Sequence, residues 1–219
     1  MGSFATQETS SDLRDRIAEG VAVLRDGGVV AYPTDTVYGL GADMECLAAV
    51  RRVIELKGRS VEMGLPLLLV DTEDLEQVAG ETTEMVWLLA KRFWPGPLTL
   101  VVKRTKAVPD MVTGGRDTVA VRVPDHPVPR ALARGLGGPI TGTSANVSGR
   151  SPTASAEQVR QQLGVTVDLV IDGGPRPVAQ ESTILDVTGD APRFLRRGAV
   201  SEGVIQEYLA GIGEPLAVG

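Results

Sequence analysis

Apolar positions along this chain follow two periods, one typical of amphipathic helices and one typical of strands. Near the N-terminus, Leu13, Ile17, Val21 and Leu24 recur at helical spacing and would share one buried face. The apolar run that begins at Val29 is short and continuous, as in a buried strand. Glycine and proline punctuate most of these segments, which indicates short connections between many elements.

The same patterns predict helices over residues 10–26, 45–56, 82–93, 128–134, 155–163 and 201–209. They predict strands over residues 29–32, 66–70, 98–102, 118–123, 167–171, 182–187 and 193–195. Segment 71–80 is predicted as a surface helical turn and 109–115 as a loop. Because strands and helices alternate without strict order, we expect a single α/β domain with a mixed parallel and antiparallel sheet. This domain is predicted to cover 11–210, between a disordered N-terminus (1–10) and a C-terminal tail (211–219).

Composition and charge narrow the classes of function. Hydrophobic residues make up 42% of the 219 residues, which suits a packed core, and no apolar run approaches the roughly 18 residues of a membrane span. The polar N-terminus lacks the apolar core of a signal peptide, so we expect a cytoplasmic protein without membrane association. The net charge of −6 argues against nonspecific nucleic-acid binding, which depends on phosphate neutralisation. A local basic pocket remains compatible with it.

The chain has one cysteine, Cys46, and one histidine, His126. A zinc site of histidine and cysteine ligands is therefore nearly excluded, and a Ser-His-Asp triad would have to use His126. We expect His126 instead to mark a loop that enters a helix. Neither a P-loop nor a dinucleotide-binding glycine fingerprint occurs, so any phosphate must be held by side-chain cations and loop amides.

The first strand leads into a cluster of hydroxyl groups. Thr34, Thr36 and Tyr38 follow Pro33, with Asp35 among them, and glycines close the segment. Proline cannot continue a central strand because it lacks the backbone N–H. A strand that delivers polar groups onto a loop is how α/β folds present a site, although an ordinary strand-to-turn junction has the same pattern.

Several cations are candidates for anion binding. Lys57 and Arg59 lie just past a predicted helix end, where they would also complement the helix dipole by about 0.3–1 kcal/mol each. Arg122 lies in a strand in which Val119 and Val121 face the other way. Either Arg122 lies on a half-exposed sheet face, or its guanidinium binds a carboxylate or phosphate.

The segment 141–146 consists almost wholly of small and hydroxylic residues. Small residues permit close approach to the backbone, and exposed amides in such a turn form an anion-binding concavity. Asn146 both donates and accepts hydrogen bonds. A generic Ser/Thr-rich loop is the alternative interpretation. Segment 181–184 repeats this pattern at a strand start, and Arg196 supplies a fourth cation.

Seven short motifs occur in one order between about residues 27 and 201. They are PTDTVYGL at 33–40, KGR at 57–59, WPGPLT at 94–99, AVRVP at 120–124, TSANVSG at 143–149, STILD at 182–186 and RRG at 196–198. Each motif is weak alone, but together they resemble the YrdC/TsaC family, the L-threonylcarbamoyladenylate synthases. The resemblance implies a single twisted α/β domain with flanking helices and a concave basic cavity.

The resemblance also implies an activity and its partners. Such enzymes condense L-threonine, bicarbonate and ATP into threonylcarbamoyl-AMP and pyrophosphate, with Mg²⁺ bound to ATP rather than to protein side chains. The adenylate feeds threonylcarbamoyladenosine formation in tRNA, which downstream threonylcarbamoyl-transfer proteins complete. Direct tRNA binding would be weak.

The motif matches indicate which residues of this sequence correspond to the family's site residues. The resemblance implies that Lys57, Arg59, Ser144 and Asn146 form the catalytic and nucleotide site, and that Thr118 and Arg196 lie near ATP. It implies that the threonine site consists of Thr34, Tyr38, Pro66, Arg122, Thr143 and Ser182. Two features differ from many relatives: Ser60 stands where they have proline, and longer members carry a second domain beyond the point where this sequence ends.

Two other functions are compatible with the same residues. The cations Lys57, Arg59, Arg122 and Arg196 could bind tRNA or double-stranded RNA in a module without catalysis. A related carbamoyl-transfer enzyme with a different acceptor is the second alternative. Threonine-dependent pyrophosphate release separates the synthase from both.

Overall fold

The computed structural model describes residues 10–176 and 180–213. The predicted disordered N-terminus and C-terminal tail lie largely outside these residues and stay predictions, as do the domain limits. Ser10 already belongs to the first helix, and the last helix reaches Gly211.

The described residues form eight helices, of which six match predicted helices and one lies in the predicted helical turn at 71–80. They are α1 (Ser10–Arg25), α2 (Leu47–Lys57), α3 (Leu75–Val78), α4 (Glu84–Phe93), α5 (Asp110–Thr113), α6 (Pro127–Leu136), α7 (Ala156–Leu163) and α8 (Glu202–Gly211). The short α5 falls where only a loop was predicted. Its four residues are too few to show a helical period, so the pattern of apolar positions could not indicate it.

Of the seven predicted strands, five are shorter in the structure and two are one residue longer, and three further strands occur where none was predicted. The strands are β1 (Val30–Tyr32), β2 (Gly39–Gly41), β3 (Leu67–Leu68), β4 (Leu98–Lys103), β5 (Thr118–Arg122), β6 (Ile140–Thr141), β7 (Thr143–Ser144), β8 (Leu169–Val170), β9 (Thr183–Asp186) and β10 (Arg193–Arg196). The hydroxylic segment thus supplies β6 and β7, whose polar side chains hide the strand pattern.

These strands form two sheets, so the prediction of one sheet is wrong, whereas the prediction of mixed pairing is confirmed. The first sheet has the order β7-β2-β1-β8 and the second β10-β9-β4-β5-β3-β6. Each contains parallel and antiparallel pairs, for example β1 with β8 and β1 with β2 in the first sheet. The chain passes from one sheet to the other between β6 and β7.

That passage depends on Gly142. Its amide donates to the Pro66 carbonyl at 2.8 Å, and a Cβ atom here would lie 2.3 Å from Cγ of Leu68. Glycine is required because the backbone crosses directly over the end of β3. The strands β6 and β7 therefore pair with different sheets although they are separated by one residue.

A second glycine explains why α6 is longer than predicted. The helix continues through Gly135 and ends at Gly137, which has a left-handed φ of 93°. A Cβ atom on Gly135 would lie 2.5 Å from Cγ2 of Val21 in α1. Gly135 therefore allows α1 and α6 to pack closely rather than ending the helix.

The main core contains residues of both sheets and of the helices that pack against them. Leu100, in the central strand β4, and Leu89, in α4, are fully buried there. A smaller core joins α1 and α6 to β1 through residues such as Leu24 and Leu132. Among the described residues, no helix has both the length and the apolar character needed to cross a membrane.

Replacing Leu100 by alanine tests the position of the main core. Leu100→Ala should lower the free energy of unfolding by about 2–5 kcal/mol, because it removes buried methyl groups and leaves a cavity. Urea denaturation measures this change. The control is Val165→Ala, since Val165 is fully exposed and its loss should cost less than about 0.5 kcal/mol. Equal effects of the two substitutions would contradict the assignment of the core.

Candidate functional site

The candidate site is a cavity of about 460 Å³ that opens between the two sheets. Its walls come from the end of α2, from β3, β5 and β9, and from the turn after β7. The predicted site residues in its lining are Lys57, Arg59, Pro66, Arg122, Thr143, Ser144, Asn146, Ser182 and Arg196. Most of the predicted site therefore converges on one cavity, although the residues come from distant parts of the sequence.

The Lys57 side chain turns inward and is only 3% exposed. Its ammonium donates to the Ser144 and Asn146 carbonyls at 2.6 and 2.8 Å, and to Oδ1 of Asn146 at 3.0 Å. Oγ of Ser144 lies 3.3 Å away. Lys57 therefore does more than complement the helix dipole, because four oxygen atoms of Ser144 and Asn146 surround its ammonium.

Burial lowers the pKa of Lys57 to about 8, with the nearby Arg59 charge adding to the shift and Glu181 opposing it. The Lys57 carbonyl also accepts from the Ser148 amide at 2.9 Å. The end of α2 thus fixes the turn after β7 through both the backbone and the side chain of one residue.

Asn146 is held at both ends of its amide. Oδ1 accepts from Lys57, and Nδ2 donates to the Arg150 carbonyl at 2.7 Å and to the Val147 carbonyl at 3.2 Å. Its side chain therefore closes the turn from inside. The hydroxyl of Ser144, which is half-buried, remains better placed to contact a molecule in the cavity.

Arg59 follows the left-handed helix cap Gly58 and has few partners. Nη2 lies 3.5 Å from the Met63 carbonyl, and the buried Nε has no hydrogen-bond partner among the described residues. Burial lowers the pKa of Arg59, with further lowering from Arg196 and Arg116. Its charge is thus poorly compensated, which favours contact with an anion.

Arg122 lies on β5 and is only 6% exposed, so the interpretation of a half-exposed sheet face is wrong. Nε donates to the Gly96 carbonyl at 2.8 Å, Nη1 to Oγ1 of Thr36 at 3.1 Å, and Nη2 to Oδ1 of Asp35 at 2.5 Å. Burial lowers the pKa of Arg122, and Asp35 opposes this shift. The second oxygen of Asp35 is buried without a hydrogen-bond partner among the described residues.

Thr34 and Tyr38 were predicted to surround threonine, but neither is in the lining of this cavity. Oγ1 of Thr34 donates to the Val37 carbonyl at 2.6 Å and lies 3.0 Å from Oγ1 of Thr36. The buried Tyr38 hydroxyl donates to the Gly174 carbonyl at 2.9 Å. Thr34 thus stabilises the loop that contacts Arg122 from within, whereas Tyr38 connects the end of that loop to the distant Gly174, since buried polar groups need hydrogen-bond partners.

Ser182 and Arg196 form the opposite wall. Oγ of Ser182 lies 2.8 Å from Oγ1 of Thr99, and Arg196 contacts Ser182 through Nη2 at 3.1 Å and through Nε to the carbonyl at 3.0 Å. Nη1 of Arg196 pairs with Glu181 at 2.9 Å. Thr99 and Glu181 are lining residues that were not among the predicted ones. Thr99 ends the WPGPLT motif and Glu181 begins the segment 181–184, so their positions in the sequence could have indicated them.

Thr118, predicted to lie near ATP, is in an adjoining cavity of about 550 Å³. The two cavities share Arg59, Met63, Pro66 and Ile184 in their linings. Thr118 is therefore separated from the main cavity, and Arg59 stands at the boundary.

No group of three or more metal-ligating side chains occurs in residues 10–176 and 180–213. His126 caps α6, with Nδ1 accepting from the Val128 amide at 3.3 Å, as expected for a loop that enters a helix. Burial lowers its pKa to about 4. The imidazole is thus neutral near pH 7 and engaged in capping.

The family model described as "Telomere recombination", for the Sua5, YciO and YrdC proteins, matches residues 22–198. A threonylcarbamoyl-AMP synthase of Bacillus subtilis is 41% identical over 198 residues, which are 90% of this chain and 57% of the relative. A threonylcarbamoyl-AMP synthase of Halorhodospira halophila is 39% identical over 182 residues, which are 83% of this chain and 94% of the relative.

A solved structure has the same fold. The crystal structure of Pyrococcus abyssi Sua5 complexed with L-threonine superimposes with a TM-score of 0.87 at 41% identity, over 91% of this chain and 58% of that one. This chain thus spans less than two thirds of the length of the Bacillus and Pyrococcus relatives. The match of the family model over residues 22–198 and the superposition on Sua5 lead to the same conclusion. The chain belongs to the Sua5/YciO/YrdC family.

Proposed function

We propose that this protein condenses L-threonine, bicarbonate and ATP into threonylcarbamoyl-AMP and pyrophosphate. The observation that carries the proposal is the single cavity in which a fixed hydroxyl-bearing turn faces the cations Arg59, Arg122 and Arg196. The relatives named threonylcarbamoyl-AMP synthase, and the Sua5 structure with threonine, support it.

The reaction needs positioning rather than a nucleophilic side chain. The threonine amine attacks bicarbonate and, with loss of water, gives a carbamate. A carbamate oxygen then attacks the α-phosphorus of ATP, and the bond to the β-phosphate oxygen breaks, which releases pyrophosphate. Negative charge gathers on neighbouring oxygens, so preorganised cations lower the barrier. Mg²⁺ would arrive on the ATP phosphates as part of the substrate.

Arg122 would bind the threonine carboxylate. Each terminal nitrogen of a guanidinium carries two N–H groups, and Thr36 and Asp35 each use one of them. One N–H on each terminal nitrogen therefore remains available for a carboxylate. Thr143, Ser182 and Pro66 would complete the threonine site, whereas Thr34 and Tyr38 would act by fixing the loop that orients Arg122.

Arg59, Ser144 and Arg196 would contact the phosphates, with Lys57 and Asn146 holding the turn. The adjoining cavity, where Thr118 lies, would take the part of the nucleotide beyond Arg59. The adenylate product would then pass to proteins that complete the tRNA modification. Weak tRNA binding and a cytoplasmic location remain part of this proposal.

The direct test is product formation by the purified protein. With threonine, bicarbonate, ATP and Mg²⁺ it should release pyrophosphate, and mass spectrometry should detect the threonylcarbamoyl adenylate. Equally fast release without threonine would refute the proposal. Activity with another acceptor of the carbamoyl group would indicate the related transferase. Salt-sensitive RNA binding without threonine-dependent turnover would indicate the RNA-binding module.

Arg59→Ala should lower turnover about a hundredfold, the scale expected when one electrostatic stabiliser of the transition state is lost. Arg197→Ala is the matched control, because Arg197 is exposed and pairs with Glu202 outside the cavity. Steady-state pyrophosphate release measures both variants. A similar loss in the two would mean that Arg59 has no special role.

The pKa of Lys57 predicts a pH dependence. Below about pH 8 the ammonium is charged and holds its four oxygen atoms, and above that value it loses a proton and a donor. kcat/KM for ATP should therefore fall as the pH rises through about 8. In Lys57→Arg the charge persists at higher pH, so this decline should disappear even if the absolute rate is lower. An unchanged decline in the variant would assign it to another group.

A further inference from the structure

Glu181 is the one acidic side chain in the lining of the main cavity, within the part of the chain that the structure describes. It stands among five cationic lining residues, which are Lys57, Arg59, Arg122, Arg150 and Arg196. A carboxylate in a cavity proposed to bind a triphosphate is unexpected, because it repels the phosphates. Its position therefore needs an explanation.

The carboxylate of Glu181 pairs with Arg196, with Oε2 at 2.9 Å from Nη1. The other two nitrogens of that guanidinium contact Ser182, so the orientation of Arg196 does not depend on Glu181 alone. The side chains of Arg196 and Glu181 are 36% and 33% exposed. A pair that is this open to water contributes little energy, so an incoming anion could displace the carboxylate.

The backbone of Glu181 is fixed independently of its side chain. The Ala199 amide donates to the Glu181 carbonyl at 2.9 Å. Gly198 packs against the same peptide, since a Cβ atom on Gly198 would lie 2.5 Å from that carbonyl oxygen. The backbone of Glu181 therefore stays at the cavity wall whether or not its carboxylate contacts Arg196.

The other cations of this cavity are compensated in different ways. The charge of Arg122 is paired with Asp35, and that of Lys57 is surrounded by oxygen atoms of the Ser144–Asn146 turn. The negative charge of Glu181 reaches both Lys57 and Arg59, where it opposes the lowering of their pKa values. Glu181 thus acts on the cations that the proposed function assigns to the phosphate region.

We propose that Glu181 is an internal counter-ion that competes with phosphate for Arg196 and Arg59, and so limits how tightly the cavity holds pyrophosphate. This inference rests on the proposed function. A site with several arginines and no opposing charge would retain its triply charged product, whereas a displaceable carboxylate returns to Arg196 as the product leaves. Glu181 is therefore a residue that sets product affinity, and it takes no part in bond formation.

The test is the affinity of the full chain for inorganic pyrophosphate, measured by calorimetry in EDTA. Glu181→Gln keeps the size of the side chain and one acceptor for Arg196 but removes the charge. The dissociation constant should fall by about three- to tenfold, the scale of one partly solvated charge interaction. Inhibition of turnover by pyrophosphate should strengthen by the same factor.

Glu202→Gln is the matched control, because Glu202 pairs with Arg197 outside the cavity and should leave the affinity unchanged. Glu181→Ala should also bind more tightly, and thermal melting checks that each variant is folded. Equal or weaker binding by both folded Glu181 variants would overturn this inference while leaving the proposed function intact. No binding of pyrophosphate or ATP by the unmodified protein would overturn the proposed function, and this inference with it.

Discussion

The site depends on one buried ammonium group. Removing a lysine from water is unfavourable unless its donors are satisfied, and Ser144 at the end of β7 and Asn146 in the following turn supply four oxygen atoms to Lys57. The same contacts fix the positions of Ser144 and Asn146 relative to α2. Since the amide of Asn146 is used by Lys57 at one end and by Arg150 at the other, the turn has little freedom to change shape.

A second buried cation connects the two sheets. Arg122 lies on β5 of the six-stranded sheet, while Asp35 and Thr36 follow β1 of the four-stranded sheet. A buried ion pair gains little stability over apolar residues of similar size, but loss of one partner leaves an uncompensated charge. We infer that the pair orients the guanidinium for a ligand rather than adding much to the stability of the fold.

The cavity therefore contains cations of two kinds. Lys57 and Arg122 are held by protein oxygens and shape the walls, whereas Arg59 has weak contacts and Arg196 pairs with the partly exposed carboxylate of Glu181. A net charge of −6 is compatible with this cationic lining, because the positive charge is concentrated locally in the cavity. Electrostatic preorganisation requires such fixed groups, because a reacting molecule then need not reorganise its surroundings.

The sequence by itself determined the fold class, most helices and nine of the residues that meet in the cavity, but it also placed Thr34, Tyr38 and Thr118 there. Helical periodicity and ordered motifs are local properties, so α2, α4 and α7 could be predicted within a few residues. The division into two sheets could not, because it depends on the approach of Gly142 to Leu68 across the fold. The sequence pattern likewise predicts that the helix stops before Gly135, because the contact of Gly135 with Val21 in another helix is not visible in a local pattern.

The roles of the polar residues were decided by the tertiary structure. Nothing in a local pattern distinguishes Lys57, which turns inward, from Arg59 two positions later. The sequence placed Thr34 and Tyr38 at the site, whereas in the structure they lie outside the cavity lining and their hydroxyls donate to the Val37 and Gly174 carbonyls. Periodicity indicates which face of an element is apolar. The partner of a buried charge is a residue that is distant in the chain and adjacent in space, so a local pattern cannot identify it.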